Sequence, residues 1–544
     1  MLYKARKYIG SFLLTGCVWC FYTPSASTAQ PTKPANLKNQ SIEQKLSEAG
    51  DALASSDLAR AEKLVREVLA VAPRNVTAHS LAGIIADRKN DLAAAEKHFA
   101  LAARLAPQAP ETRNNYGAIL VRLNRRAEAA REFTASLAAN PNQPSALVNL
   151  GQIRIAENNL KAARELFEKV KAIAPDVEIL RALILISLQL NEKTRAAEEF
   201  AEYAAVLKTV SISFTDSQAN ESLGKALLAS DLLDEARQEF EYILARDAGN
   251  INALVLLSKV YLQRKDIRAA GKLLESAVAR GLSDARIYAA LADVYQSGGY
   301  MENAIPAMRL AIEKDPKNDF YRARYGLLLI DSKAPAAAII RLSEALKEFP
   351  NSPRILLVLG IAQQMDGKLV EARNAFQRVL EIEPKSVPAL AYMATSQVEQ
   401  AQYSEAVKTY QRALAVEEKN AILHYLVADT LLKIPTSDTA LIQKHLVRSV
   451  ELDEKLGQAH IALGKLYARA EDWQKALAAF EKGVRYAPDS AEAHYQLGRT
   501  LARLKRTEES KAAFEKYKKL NETQTAQKEA GRQELVRRLA NVQF

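Results

Sequence analysis

Apolar side chains recur along this chain in two short helical runs at a time, with a polar break between them. Leu147, Leu150 and Ile153 make one run, Leu160, Ala163, Phe167 and Val170 make the next, and Asn158 and Asn159 lie between. Spacings of three and four place each run on one helix face, and the break turns the chain back, so the pattern predicts a pair of antiparallel helices. The same pair returns throughout the sequence. Pro73, Pro107, Pro141 and Pro175 are equally spaced, and Pro316, Pro350 and Pro384 keep the same interval. In a frame that sets each proline at position 32, position 8 is Gly83, Gly117, Gly151, Gly224, Gly326, Gly360, Gly464 or Gly498. Position 20 is nearly always alanine, and position 24 is Phe99, Phe133, Phe167, Phe240, Phe376, Phe480 or Phe514. Small residues at positions 8 and 20 let two helix axes come close, and the large residue at 24 fills the space left. The proline ends the second helix, because it lacks the N–H and restrains the residue before it. A fixed period of this kind, about 34 residues, marks an array of repeats.

Two breaks in the period predict local insertions. From Pro175 to Pro316 the chain runs five residues over four periods, and from Pro384 to Pro488 it runs two over three periods. The first insertion is expected in the Thr/Ser-rich stretch Lys208 to Asp216, dividing the array into segments 42–213 and 214–524. The second is expected at Ile434 to Asp438, which takes Ala440 out of frame. Repeats starting near Ile42 and Glu178 are irregular, the latter carrying Leu185 where glycine is expected.

Gly83, Ala95, Phe99, Ala102 and Pro107 in one repeat, and Leu463, Gly464, Tyr467, Ala476, Phe480 and Pro488 in another, resemble the tetratricopeptide repeat (TPR). The resemblance implies an all-α fold, a right-handed superhelical solenoid of about fourteen helix-turn-helix repeats, with 525–544 as a C-terminal capping helix. It also implies that first helices line a concave groove through positions 2, 5, 6, 9, 12 and 13. Those positions nominate Asn114, Asn115, Asn149 and Gln152, whose amides can both donate to and accept from an extended peptide backbone. Further along they nominate Lys465, Arg469, Tyr495, Gln496, Arg499 and Arg503, a positive strip suited to carboxylates. Leu256, Leu262, Phe320, Leu357, Val358, Tyr392, Tyr425 and Leu426 fall at similar positions and suit either an apolar ligand or tight packing. The implied function is a non-enzymatic scaffold that binds extended or acidic protein segments and no small-molecule substrate, with a binder of acidic polymers, nucleic acid or polysaccharide, as the alternative; a leader that exports the chain and a groove without a continuous run of basic and aromatic residues argue against nucleic acid.

Positions 1–29 read as a secretory leader: Lys4, Arg6 and Lys7 precede an apolar stretch from Tyr8 to Tyr22, and Ser27-Thr28-Ala29 suits cleavage before Gln30. Leu14-Thr15-Gly16-Cys17 also resembles a lipobox, which would end the leader at position 16 and lipidate Cys17. An uncleaved anchor is the third alternative, and every reading predicts export to the periplasm or outer membrane of a bacterial envelope, where assembly, secretion or polysaccharide export are the natural settings. A polar linker over 30–41 follows, with Ser41 and Gln44 expected to cap the first helix. Both cysteines lie in the leader, so no disulfide is expected in the array. Three of the 75 basic residues belong to the leader, which leaves 72 against 64 acidic ones; Ala491 to Phe544 alone holds 12 basic against 7 acidic.

No glycine-rich phosphate loop, nucleophile elbow or HExxH sequence occurs, so neither catalysis nor a cofactor is expected. His79, His424, His460 and His494 all occupy position 4, while His98 and His445 lie on second helices. Equivalent positions on stacked helices are at least ~9 Å apart, too far for the ~2.1 Å bonds of one zinc ion. Packing roles and no metal site are therefore expected. The acid pairs Glu198-Glu199 and Glu508-Glu509 read as solvated outer faces.

Overall fold

The computed structural model describes residues 37–209, 217–521 and 538. Among them 28 α-helices follow one another as fourteen pairs, with no strand. Most first helices, such as Val76–Arg88 and Pro144–Ala156, have 13 residues, and most second helices, such as Leu92–Leu105 and Leu160–Ile173, have 14. The chain divides into two compact halves between Leu273 and Leu274.

The small-residue frame is what closes each pair. A Cβ on Gly83 would stand 2.6 Å from the Phe99 ring, and one on Gly360 would stand 2.5 Å from the Phe376 ring. Both rings are fully buried and have nowhere to retreat. Between the two helices of most pairs, the chain reverses through one left-handed residue: Asn90, Asn124 and Asn158 have φ near +60°, and Gly299 and Gly367 take the same place. Asparagine and glycine tolerate this conformation, which stops the first helix. At the other end, Ala72, Ala106 and Ala174, each ahead of a proline, have φ between −131° and −150° and terminate the second helix.

These reversals also locate the irregularities. The interval from Asn158 to Asn191 is one short of the period, and that from Asn191 to Asp231 is six over. One residue lost and six gained leave the net five. The frame therefore slips one residue earlier at Val177: Ile184, not Leu185, takes position 8, with Ala196 at 20 and Phe200 at 24, and all three are buried. The gain falls around 210–216, outside the described residues, after a second helix lengthened to 17 residues, Lys193–Thr209. Packing does not break there. Phe200 and Tyr203 before the joint share one apolar cluster with Leu223 and Phe240 after it. The second insertion lies where expected, in the connection between Ala421–Leu431 and Thr439–Leu452, and Ile442 and Leu446 take over the buried positions.

The first helix begins at Leu37, so Ser41 lies inside it and caps nothing. The leader, Cys17 and the linker up to 36 fall outside the described residues, as does 525–544 except Arg538, which is helical. Among the described residues, no helix is long and apolar enough to cross a membrane.

Candidate binding surface on the inner helices

Neighbouring first helices are tied by polar rungs between side chains 35 apart in sequence. Arg122 donates to Asp87, Asn149 donates to Asn114 at 3.3 Å, Gln296 donates to Asp331, and Gln364 donates to Glu399 at 2.9 Å. Three of these join position 12 of one repeat to position 13 of the next, and the asparagine pair joins positions 5 and 6, two turns away on the same face. Burial raises the Asp87 carboxyl above its ordinary range, against the pull of the Arg122 guanidinium.

The rungs correct the reading of the asparagines. Asn114, Asn115 and Asn149 are 0%, 2% and 1% exposed, so they lie inside the stack and not on an open wall. Gln152 is half-buried. Leu357, Val358, Tyr392 and Leu426 are likewise at most 5% exposed and belong to the core, whereas Leu256, Leu262, Phe320 and Tyr425 are half-buried. Complementary polar side chains 35 apart were the available signal, since one period plus one residue brings adjacent helices side by side.

The basic strip remains at the surface, with changes. Lys465 is neutralised by Glu492 of the next repeat. Arg469, Arg499 and Arg503 are exposed, and Gln496 is half-buried. The Tyr495 ring, 37% exposed, packs at 5.1 Å on Tyr517 and 5.9 Å on Phe514 of the following helix. Arg499 lies 5.8 Å from the Tyr495 ring, and Arg503 lies 5.7 Å from the ring of Trp473, which the sequence reading overlooked because it sits on the preceding second helix. Among the described residues, no carboxylate is within ion-pair distance of Arg499 or Arg503. Two guanidiniums beside aromatic rings thus stand clear of carboxylates among the described residues.

Models of the tetratricopeptide repeat match residues 46–110, 117–178, 326–387 and 461–524, and further ones match 227–294, 364–430 and 285–318, together more than half of the chain. The chain belongs to the tetratricopeptide repeat family. It is similar to Superkiller protein 3 of Schizosaccharomyces pombe, 22% identical over 213 residues, 38% of this chain and 15% of that protein. Tetratricopeptide repeat protein 21B of Homo sapiens is 25% identical over 222 residues, 39% of this chain and 17% of that one. This TPR chain therefore spans less than a fifth of the length of either relative. A crystal structure of the APC/C hetero-tetramer Cut9-Hcn1 matches 85% of this chain and 96% of its own, with 15% identity and a TM-score of 0.39.

The remaining sequence candidates are placed as follows. Glu199 is buried, not solvated: it accepts hydrogen bonds from Ser187 Oγ at 2.7 Å and Arg195 Nε at 2.9 Å. Glu508 and Glu509 are exposed and pair with Lys511 and Arg506. Each position-4 histidine sets its Nε2 at 2.9–3.0 Å from the carbonyl six residues earlier, Pro73, Glu418, Glu454 and Pro488 for His79, His424, His460 and His494. The second-helix histidines then meet two of them: Nδ1 of His98 is 3.0 Å from Nδ1 of His79, and Nδ1 of His445 is 2.9 Å from Nδ1 of His424. Spacing between repeats hid these pairs, which form within one repeat.

Proposed function

We propose that this TPR protein is a non-enzymatic scaffold whose C-terminal repeats hold an acidic, extended segment of a partner protein. The observation that carries the reading is the exposed pair Arg499 and Arg503, aromatic-backed and without acidic partners among the described residues, whereas Asp87 with Arg122, Asn114 with Asn149 and Lys465 with Glu492 are joined to one another on the inner helices. A guanidinium presents a planar fork matched to a carboxylate, and the rings hold the fork in place at little entropic cost. The excess of basic residues after Ala491 adds long-range attraction for an acidic chain. The leader-like stretch 1–29 supports an exported protein of a bacterial envelope, and the mass of the mature N-terminus, starting at Gln30 or at lipidated Cys17, tests that part separately.

Fluorescence anisotropy with an oligoglutamate peptide and an oligoglutamine control tests the binding reading. The acidic peptide is expected to bind and the control not. Arg499→Glu combined with Arg503→Glu abolishes binding, and raising the salt from about 0.1 M to 1 M weakens it as the screening length shrinks from ~10 Å to ~3 Å. Equal binding by the charge-reversed variant removes the strip from consideration.

A further inference from the structure

A backbone carbonyl can only accept a hydrogen bond, so the contact from His424 Nε2 to the Glu418 carbonyl, 3.0 Å, puts the proton of a neutral His424 ring on Nε2. Its Nδ1 is then a bare lone pair. His445 Nδ1 faces it at 2.9 Å, with ring centroids 5.1 Å apart and planes inclined by 42°. His79 and His98 repeat the arrangement at 3.0 Å, 5.3 Å and 33°. One ring of each pair is thus oriented by a carbonyl behind it, as metal-ligating imidazoles commonly are.

We propose that the His424–His445 pair is a two-nitrogen site for a divalent first-row transition ion, with copper(II) the best fit. Two donors in adjacent corners of a square-planar ion, bonded at ~2.0–2.1 Å, lie about 2.9 Å apart, and imidazole suits copper, nickel and zinc. Binding requires the one proton between the rings to move from His445 Nδ1 to His445 Nε2, and both rings to tilt so that their lone pairs converge. No net proton is released. The pair opens on a cavity of about 780 Å³ also lined by Glu418, Gln443, Arg448 and Glu451, which leaves room for water on the remaining corners. Glu418 and Glu451 face the site against Lys444 and Arg448, so its surroundings are close to neutral. Among the described residues, no group of three or more His, Cys, Asp or Glu is placed to hold an ion, so the protein supplies two nitrogens and the solvent the rest.

The test is copper(II) titration of the full chain at pH 7.5 by calorimetry and electron paramagnetic resonance, in a His98→Gln background that silences the second pair. Saturable binding with hyperfine structure from two nitrogens is expected. His445→Gln, which retains an N–H to donate to His424 Nδ1, should weaken binding at least tenfold while the metal-free melting temperature holds. Unchanged affinity in that variant, a one-nitrogen spectrum, or binding of an adventitious ion with no dependence on either histidine overturns the proposal. Should the variant unfold, diethylpyrocarbonate labelling of the unmutated chain decides the matter: copper must protect His424 and His445, and full labelling of both in its presence refutes the site.

Discussion

The Tyr203 hydroxyl donates to Glu239 Oε1 at 3.1 Å across the irregular joint, linking side chains 36 apart in sequence with both fully buried. Arg181, 5% exposed, stands by the same cluster, donating to Glu178 at 2.8 Å and to Asn220 at 2.8 Å. Burial pushes the Glu239 carboxyl up to about 7, against the pull of the Arg181 charge, and raises the Tyr203 hydroxyl well above its ordinary range.

That shift fixes a sign. The folded chain holds the Glu239 proton more tightly than the unfolded chain, whose ordinary value is 4.5. Its contribution is therefore complete below 4.5 and is lost as the pH rises through about 7. Glu239→Gln keeps an acceptor for Tyr203 and should remove this loss, on the order of 3 kcal/mol at full span. Urea unfolding at pH 5 and pH 8 checks it. A wild-type chain no less stable at pH 8 relative to the variant than at pH 5 contradicts the assignment.

The histidines act in the opposite direction. Burial first of all lowers the imidazoles of His98, His424, His445 and His460 from the ordinary 6.5. Their contribution is complete above 6.5 and disappears as the pH falls through their lower folded values. Melting temperature measured from pH 7.5 down to pH 5 should fall less steeply in His445→Gln than in the unmutated chain.

Gly360→Ala sets a methyl 2.5 Å from the buried Phe376 ring. Overpacking of this kind costs ~1–3 kcal/mol. Adding Phe376→Leu should recover part of the loss, because the smaller side chain vacates the contact; a double variant weaker than the sum of the two single ones would show that the glycine serves something other than close approach.

Asn149→Ala removes the donor to buried Asn114 and should destabilise the fold by ~1–3 kcal/mol. Oligoglutamate affinity should stay the same. A loss of affinity without a loss of stability would return the asparagines to the binding surface.

The sequence was most legible where a residue type answers a demand inside one hairpin. Gly83 against Phe99, the turn at Asn158, and the proline after Ala106 are all read from one helix pair, and the repeat register multiplies the signal. It was least legible where the answer lies in the next hairpin. Asn114 and Asn149 sit at groove positions, yet what covers them is the adjoining helix, which a single-repeat frame leaves out. The slip at Val177 was masked for a different reason: a lost residue and a larger gain fall between the same two prolines, so only their difference shows. His424 and His445 are 21 apart in sequence, and only the antiparallel return of the chain turns that interval into a contact.

The rungs between first helices reach one neighbour and stop. Tension applied along either half of the array would load junctions between neighbours that combine polar rungs with shared apolar packing. Each half would then open hairpin by hairpin from an end, because a unit holds only its neighbours.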